Sequence, residues 1–358
     1  MLSRPGKPVE IKVFANAEPE PGGALLRTTF SEVCGTDVHL ADGRLPGVPY
    51  PIIPGHVSVG VLEKIRGPIA DVHGKPFAEG DTVAFLDVWG TCHACWFCLV
   101  AKASTRCPSR KVYGITFGTQ DGLCGGWSEL IALKAGTRLL RLPHGLDAET
   151  YIGGGCGLNT ALATMDRADV RLGDTVLVLG VGPVGQSLIA FATLAGAGEV
   201  LAIGAPQARL EFATRMGAMR THGLSGTGEE RVQWVRDATG GRGADVVIEA
   251  TGSPIAVRDA LEMVRDNGRV VVCGQYTDHG GVELNPHTLI NKKHVEIRGS
   301  WGSDFSHFYR SIELMGRHHA RFPWREMVSG RYTLDRAQEA LDAVRAQTVV
   351  KAAITPNA

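Results

Sequence analysis

Apolar and polar positions follow two regimes along the chain. Up to about Leu26 they alternate among several prolines and glycines, and the stretch from Trp127 to Pro143, WSELIALKAGTRLLRLP, has the same character, which predicts strands and turns of a β-rich domain. From Thr175 the pattern changes. Val176, Leu177, Val178 and Leu179 form an unbroken apolar run bounded by turn residues, the mark of a strand buried on both faces, as in a parallel sheet. Val200 to Ile203, Asp245 to Glu249 and Arg269 to Cys273 read as further strands separated by helical segments, the first of them Val184 to Leu194. Strands alternating with helices predict a doubly wound α/β sheet. Phe305 to Met315 and Leu334 to Arg345 carry apolar residues at helical spacing.

The first buried run ends in glycines at the G-x-G-x-x-G spacing, Gly180, Gly182 and Gly185, with Pro183 and Val184 opening the helix. The first glycine permits a tight turn, the second lets backbone approach a pyrophosphate, and the third lets the helix pack close on the strand. The helix then points free N–H groups and the positive end of its dipole at the phosphates. A dinucleotide site near Gly180 is expected.

Length and charge narrow the class. A chain of 358 residues has room for two domains. Lys plus Arg balance Asp plus Glu at 37 each, so no basic surface speaks for nucleic acid or an anionic membrane. The start, MLSRPGKPVEIKV, has no apolar signal core, and no apolar run reaches membrane-spanning length, so a cytoplasmic location is expected. In a reducing compartment the eight cysteines read as metal ligands or buried small residues rather than disulfides.

The cysteines carry the most specific chemistry. Cys92, Cys95 and Cys98 are spaced C-x2-C-x2-C and Cys107 closes the set, which predicts a structural zinc lobe over about 90–110 with no open coordination position. His93 lies inside this set but is redundant, and is read as facing solvent. Cys34, Thr36, Asp37 and His39 fall within six positions, His56 sits in PIIPGHVSVG in a turn entering a strand, and Cys156 lies in a glycine-rich turn before a helix. Cys124 and Cys273 read as small buried residues. His318 and His319 are adjacent, point apart, and read as a solvated face.

The series CGTD, PGH, C-x2-C-x2-C with its fourth cysteine, GGGCG and VLGVGPVG, in this order, resembles the zinc-dependent medium-chain dehydrogenase/reductase family, alcohol dehydrogenase type, over essentially the whole chain. The resemblance implies a GroES-like β-rich catalytic domain (1–158 and 302–358) and a Rossmann nucleotide-binding domain (159–301). It implies a catalytic zinc on Cys34, His56 and Cys156, distinct from the four-cysteine zinc and so two per chain. Two thiolates and one imidazole also suit an open catalytic site on chemical grounds. Asp37 matches a carboxylate that orients the His56 ring. Thr36 and His39 match a proton relay running through the nicotinamide ribose to solvent. The implied reaction interconverts an alcohol and its ketone or aldehyde: zinc lowers the pKa of the alcohol and the nicotinamide accepts hydride. Val272 and Gly274 would lie beside the nicotinamide, and Lys351 aligns with a basic position on the pyrophosphate.

Three departures from the family pattern stand out. Val57 replaces a glutamate that commonly follows the zinc-binding histidine. The loop from Cys98 to Cys107 is one residue longer than usual. Gly204 occupies the place of the acidic residue that binds the adenosine ribose; no arginine follows it directly, and Arg209 comes a helical turn later, so NAD is favoured over NADP. Leu45, Val88, Trp89 and Trp301 are expected to line an apolar pocket, which suits a hydrophobic alcohol or ketone better than a sugar polyol; GQYTDHGGVELNPHTL followed by RGSWGSDFSHFYR resembles a bacterial branch of the family that includes enzymes for secondary and alicyclic alcohols. A polyol or amino-alcohol dehydrogenase is the nearest rival. A zinc-free quinone or enone reductase would not need Cys34, His56 and Cys156 together, and a non-catalytic zinc protein would not need the relay. The resemblance also implies a homodimer or homotetramer, since members of the family commonly pair their nucleotide domains edge to edge, which leaves fewer backbone groups unpaired.

Overall fold

The structure, a computed structural model, describes residues 1–15 and 17–357. It divides into two compact units: Met1–Cys156 with Asp304–His319 and Trp324–Ala358, and Gly157–Ser303 with Ala320–Pro323.

In the first unit the chain runs β1 (Ala24–Val33), α1 (Gly35–Ala41), β2 (Ser58–Ile65), β3 (Thr82–Phe85), β4 (Val88–Gly90), α2 (Trp96–Leu99), β5 (Lys111–Val112), β6 (Leu130–Leu133) and β7 (Leu139–Arg141), then enters α3 (Ala148–Ala168). It re-enters the unit through α8 (Phe305–His318), β14 (Val328–Thr333), α9 (Ala337–Arg345) and β15 (Lys351–Thr355). The main sheet has the order β14-β15-β1-β2-β3-β7, with β6 also on β1. The ten-residue β1 is central: it pairs antiparallel with β2, β6 and β15, so its far end, running into Cys34, is held from both sides. Leu26, Leu62, Val83, Phe85, Tyr113 and Ile131 fill the core of this unit.

The second unit alternates strand and helix: β8 (Thr175–Leu179), α4 (Pro183–Leu194), β9 (Glu199–Ile203), α5 (Gln207–Arg215), β10 (Arg220–His222), α6 (Gly228–Ala238), β11 (Ala244–Glu249), α7 (Pro254–Met263), β12 (Val264–Val272) and β13 (Glu296–Gly299). The sheet order is β10-β9-β8-β11-β12-β13, parallel throughout, with Val176–Val178 fully buried, as an uninterrupted apolar strand requires.

Cys156 stands where the sequence places it, directly after a glycine break and at the start of a helical run. α3 begins at Ala148, and Gly155 interrupts it with φ 49° and ψ −137°. No described helix is long and apolar enough to cross a membrane.

Candidate metal centres and nucleotide turn

Two groups of metal-ligating side chains occur among the described residues, each with its donor atoms within 4.8 Å of one another: Cys34, His56 and Cys156, and Cys92, Cys95, Cys98 and Cys107. Both lie in the first unit. His318 and His319 join neither group; His319 Nδ1 bonds the Gly316 carbonyl.

Local rules assemble the three-residue centre. Cys34 is the N-cap of α1: its Sγ accepts from Thr36 N (3.3 Å), while the Asp37 carboxylate reaches back to Cys34 N (2.9 Å), closing a capping box. The other oxygen of Asp37 accepts from Gly55 N (3.4 Å), so one fully buried carboxylate ties α1 to the turn carrying His56. Gly55 takes φ 91°, and a Cβ there would sit 2.6 Å from Ser31 Oγ and from Trp127. His56 Nδ1 is buried without a hydrogen-bond partner. Asp37 therefore acts on the imidazole through the Gly55 backbone and through its charge, rather than by the ring hydrogen bond expected from the sequence.

The three donor side chains are strongly coupled. Cys34 is held well below the usual thiol range, first by hydrogen bonding with Cys156 and further by His56, whereas Cys156 is pushed up by the same bond and by burial. Burial opposes charge on His56, but Cys34, Asp37 and Asp87 outweigh it and raise the imidazole to about 10. Burial, with Cys34, drives Asp37 up. Two sulfurs and an imidazole drawn within 4.8 Å of one another fit a zinc ion, which on binding would displace the protons held on Cys156 and His56 and leave a coordination position for a further ligand.

The four-cysteine group is held by its own loop. Cys92 N donates to Cys107 Sγ (3.3 Å), Cys95 N donates to Cys92 Sγ (3.3 Å), and those two sulfurs are 3.5 Å apart. The Ala94 amide, followed by the neighbouring cysteines, lowers Cys92 to about 6. Four thiols on one lobe fit a closed structural zinc. His93 is exposed. Cys124 and Cys273 are buried, their Sγ atoms donating to the Asp121 and Glu249 carbonyls.

Thr36 and His39 are half-buried and three residues apart on α1, hence on one face. Leu45 lies half-buried in the loop after α1, and Val88 is buried on β4. Trp89 packs against the core of the first unit, edge-on to Phe117, with Nε1 donating to the Ala135 carbonyl (2.9 Å). Trp301, in the second unit, stacks on Tyr276 at 5.8 Å. Trp89 is thus a half-buried residue at the margin of that core, its indole N–H satisfied within the first unit.

In the second unit the glycine turn has the form its spacing implies. Gly180 has φ 102°, and a Cβ there would lie 2.7 Å from the Ala250 carbonyl; one on Gly185 would run into the Gly180 carbonyl; Gly182, the N-cap of α4, faces open space, with Pro183 and Val184 beginning the helix. Gly204 follows β9 directly, and a Cβ on it would sit 2.5 Å from Val181 Cγ2 and 3.1 Å from Val181 N. The missing carboxylate thus has a steric partner within the glycine turn itself. Arg209 is half-buried, and burial lowers its pKa. Val272 ends β12 and Gly274 N donates to the Glu249 carbonyl (3.0 Å).

Lys351 differs from expectation. It is 1% exposed, its Nζ lies 2.7 Å from Glu32 Oε1 and donates to the Gly154 carbonyl at 3.0 Å, so the pyrophosphate contact inferred for it is not what the fold builds. Antiparallel pairing explains the partnership. Glu32 on β1 opposes Ala353 on β15, and period-2 alternation puts Lys351 on the same face as its diagonal neighbour. Sequence reading missed Glu32; its one signal is a glutamate in a strand end otherwise buried, two residues before Cys34.

Comparison with known proteins agrees with this geometry. Residues 20–144 match the alcohol dehydrogenase GroES-like domain and residues 183–317 the zinc-binding dehydrogenase domain. The chain is 33% identical over 350 residues to 5-exo-hydroxycamphor dehydrogenase of Pseudomonas putida, covering 96% of this chain and 94% of that protein. It is 28% identical over 334 residues to D-arabinitol dehydrogenase 1 of Uromyces fabae, covering 93% and 90%. The crystal structure of an alcohol dehydrogenase from Thermotoga maritima superposes with a TM-score of 0.94 at 30% identity, covering 99% of this chain and 98% of that one. The chain belongs to the zinc-dependent medium-chain dehydrogenase/reductase family. Within it, it is an oxidoreductase of the alcohol dehydrogenase type, built from a GroES-like and a Rossmann domain, for which zinc and a nicotinamide cofactor are implied.

Proposed function

We propose that this protein interconverts a hydrophobic secondary or alicyclic alcohol and its ketone, with NAD as the favoured hydride acceptor and two zinc ions per chain. The observation that carries the reading is the convergence of Cys34, His56 and Cys156 in a group separate from the four-cysteine lobe. Zinc on these three residues supplies Lewis acidity to the alcohol oxygen, and the nicotinamide supplies the hydride-accepting ring. The chain's own part is positional. Cys34 and Asp37 fix the start of α1, which sets the Thr36 hydroxyl two residues from a metal ligand to take the alcohol proton; His39, on the same helical face, passes it outward. The glycine turn and the α4 N-terminus hold the pyrophosphate.

The substrate class is supported by the hydroxycamphor relative, whose name denotes an alicyclic alcohol. A polyol is the second reading, favoured by the D-arabinitol relative. The preference for NAD rests on the lack of an arginine directly after Gly204. A homodimer or homotetramer is proposed on the edge position of β13, with Ile297 44% exposed. The surroundings proposed are cytoplasmic, in keeping with free cysteines.

The first test is zinc content of protein purified without added metal, beside Cys156→Ala. About two zincs falling to about one supports a separate catalytic metal; about one in both overturns it. Initial rates on cyclic secondary alcohols and on pentitols, with NAD and with NADP, then decide substrate class and cofactor.

A further inference from the structure

The Glu32–Lys351 pair lies beside the three-residue centre and has no part in the reading above. Both side chains are fully buried, 2.7 Å apart. Beyond the pair itself, their side-chain hydrogen bonds fall on Gly154 and Cys156. Glu32 Oε2 accepts from Cys156 N (2.7 Å), Glu32 Oε1 accepts from Cys156 Sγ (3.2 Å), and Lys351 Nζ donates to the Gly154 carbonyl (3.0 Å). Between them Gly155 breaks the helix at φ 49°; a Cβ there would collide with Glu32 Oε2 and lie 2.7 Å from Lys351 Nζ. Glu32 N in turn donates to the Val57 carbonyl (2.9 Å), which anchors the carboxylate beside the residue following His56.

Because α3 is interrupted at Gly155, helical hydrogen bonding alone does not determine where Cys156 presents its sulfur. We propose that Glu32, clamped by Lys351, is the positioning carboxylate of the Cys34–His56–Cys156 centre, fixing the Cys156 backbone through its N–H so that the sulfur, on releasing its proton to solvent, meets the metal. Residues behind the ligands commonly set ligand orientation and metal affinity in this way. A buried ion pair whose only task was stability could be replaced by apolar residues of similar volume without loss; one that positions a ligand could not. The inference rests on the zinc reading of this centre.

The test compares wild type, Glu32→Gln, Lys351→Met, the double variant and Cys156→Ala. Zinc per chain is measured after dialysis against graded chelator, and the thiolate-to-cobalt and d–d absorption bands are recorded after cobalt(II) substitution. The double variant carries no unpaired buried charge, so it serves where Lys351→Met alone does not fold. The expected result is a loss of affinity for the second zinc of ~10–100-fold in the Glu32 and Lys351 variants, with shifted cobalt bands, while the four-cysteine zinc is retained. Unchanged affinity and unchanged cobalt bands would show the pair to be structural only and overturn the proposal, leaving the zinc reading intact. One zinc in wild type, unmoved by Cys156→Ala, would overturn the zinc reading and this proposal with it.

Discussion

Gly204→Asp restores the carboxylate that would bind an adenosine ribose, and the structure predicts that it fails alone and works with Val181→Ala. Gly204 is not among the positive-φ glycines, so the backbone accepts an L-residue and the obstacle is purely steric. A Cβ at position 204 would sit 2.5 Å from Val181 Cγ2, about 1 Å inside ordinary carbon contact, and 3.1 Å from Val181 N. Val181 is 2% exposed and β-branched, so its methyl cannot rotate away cheaply. Overpacking of this kind costs ~1–3 kcal/mol, and the displaced backbone is that of the glycine turn. Val181→Ala removes both close methyls, Cγ2 at 2.5 Å and Cγ1 at 3.2 Å, and leaves a cavity costing ~2 kcal/mol that the new side chain partly refills. Thermal melts and the ratio of kcat/KM for NAD over NADP are measured in the four members of the cycle. The expected outcome is a destabilised, poorly selective Gly204→Asp and a double variant with recovered melting temperature and a preference for NAD raised by ~10-fold, or ~1.4 kcal/mol. A Gly204→Asp single variant as stable and selective as the double would refute the steric coupling.

Lys351→Met alone should melt well below wild type, since an unpaired buried carboxylate costs ~3–5 kcal/mol, whereas Glu32→Gln/Lys351→Met should recover most of that loss; equal melting of the two variants would show that Glu32 is not charged in the fold. Cys98→Ser should release one zinc, leave the other, and make 90–110 protease-sensitive, as limited proteolysis with metal analysis would show. Asp245 accepts from Thr175 N (2.7 Å) and pairs with Arg265; burial opposes its charge, but these partners hold its pKa below the usual value. A depressed carboxylate pKa stabilises above the unfolded value and is lost as pH falls through the folded one, so Asp245→Asn should lower the melting temperature at pH 7 and converge with wild type below about pH 4. The partly exposed pair limits the difference to ~1 kcal/mol; a gap that persists in acid would refute the assignment.

The elements legible beforehand are those whose cause is local. The apolar run Val176–Leu179, the glycine spacing at Gly180, Gly182 and Gly185, and the C-x2-C-x2-C set each involve residues near one another in sequence, where period and spacing are read directly. The partner of Lys351 was not legible. The same residue type serves a phosphate or a buried carboxylate, and only pairing with distant strands decides between them.

By itself, then, the sequence determined the alternation of strand and helix around a dinucleotide turn and the four-cysteine group, because each rests on residue type at short spacing; Cys34, His56 and Cys156, far apart in the chain, were grouped only through the family resemblance that the ordered motifs carry. Tertiary structure alone decided that Asp37 joins α1 to the His56 turn through backbone amides, that Val181 closes the space over Gly204, and that Glu32 and Lys351, 319 positions apart in numbering, meet across β1 and β15 behind Cys156. The physical reason is that a side chain's period fixes the face it occupies, while strand register fixes which distant residue shares that face.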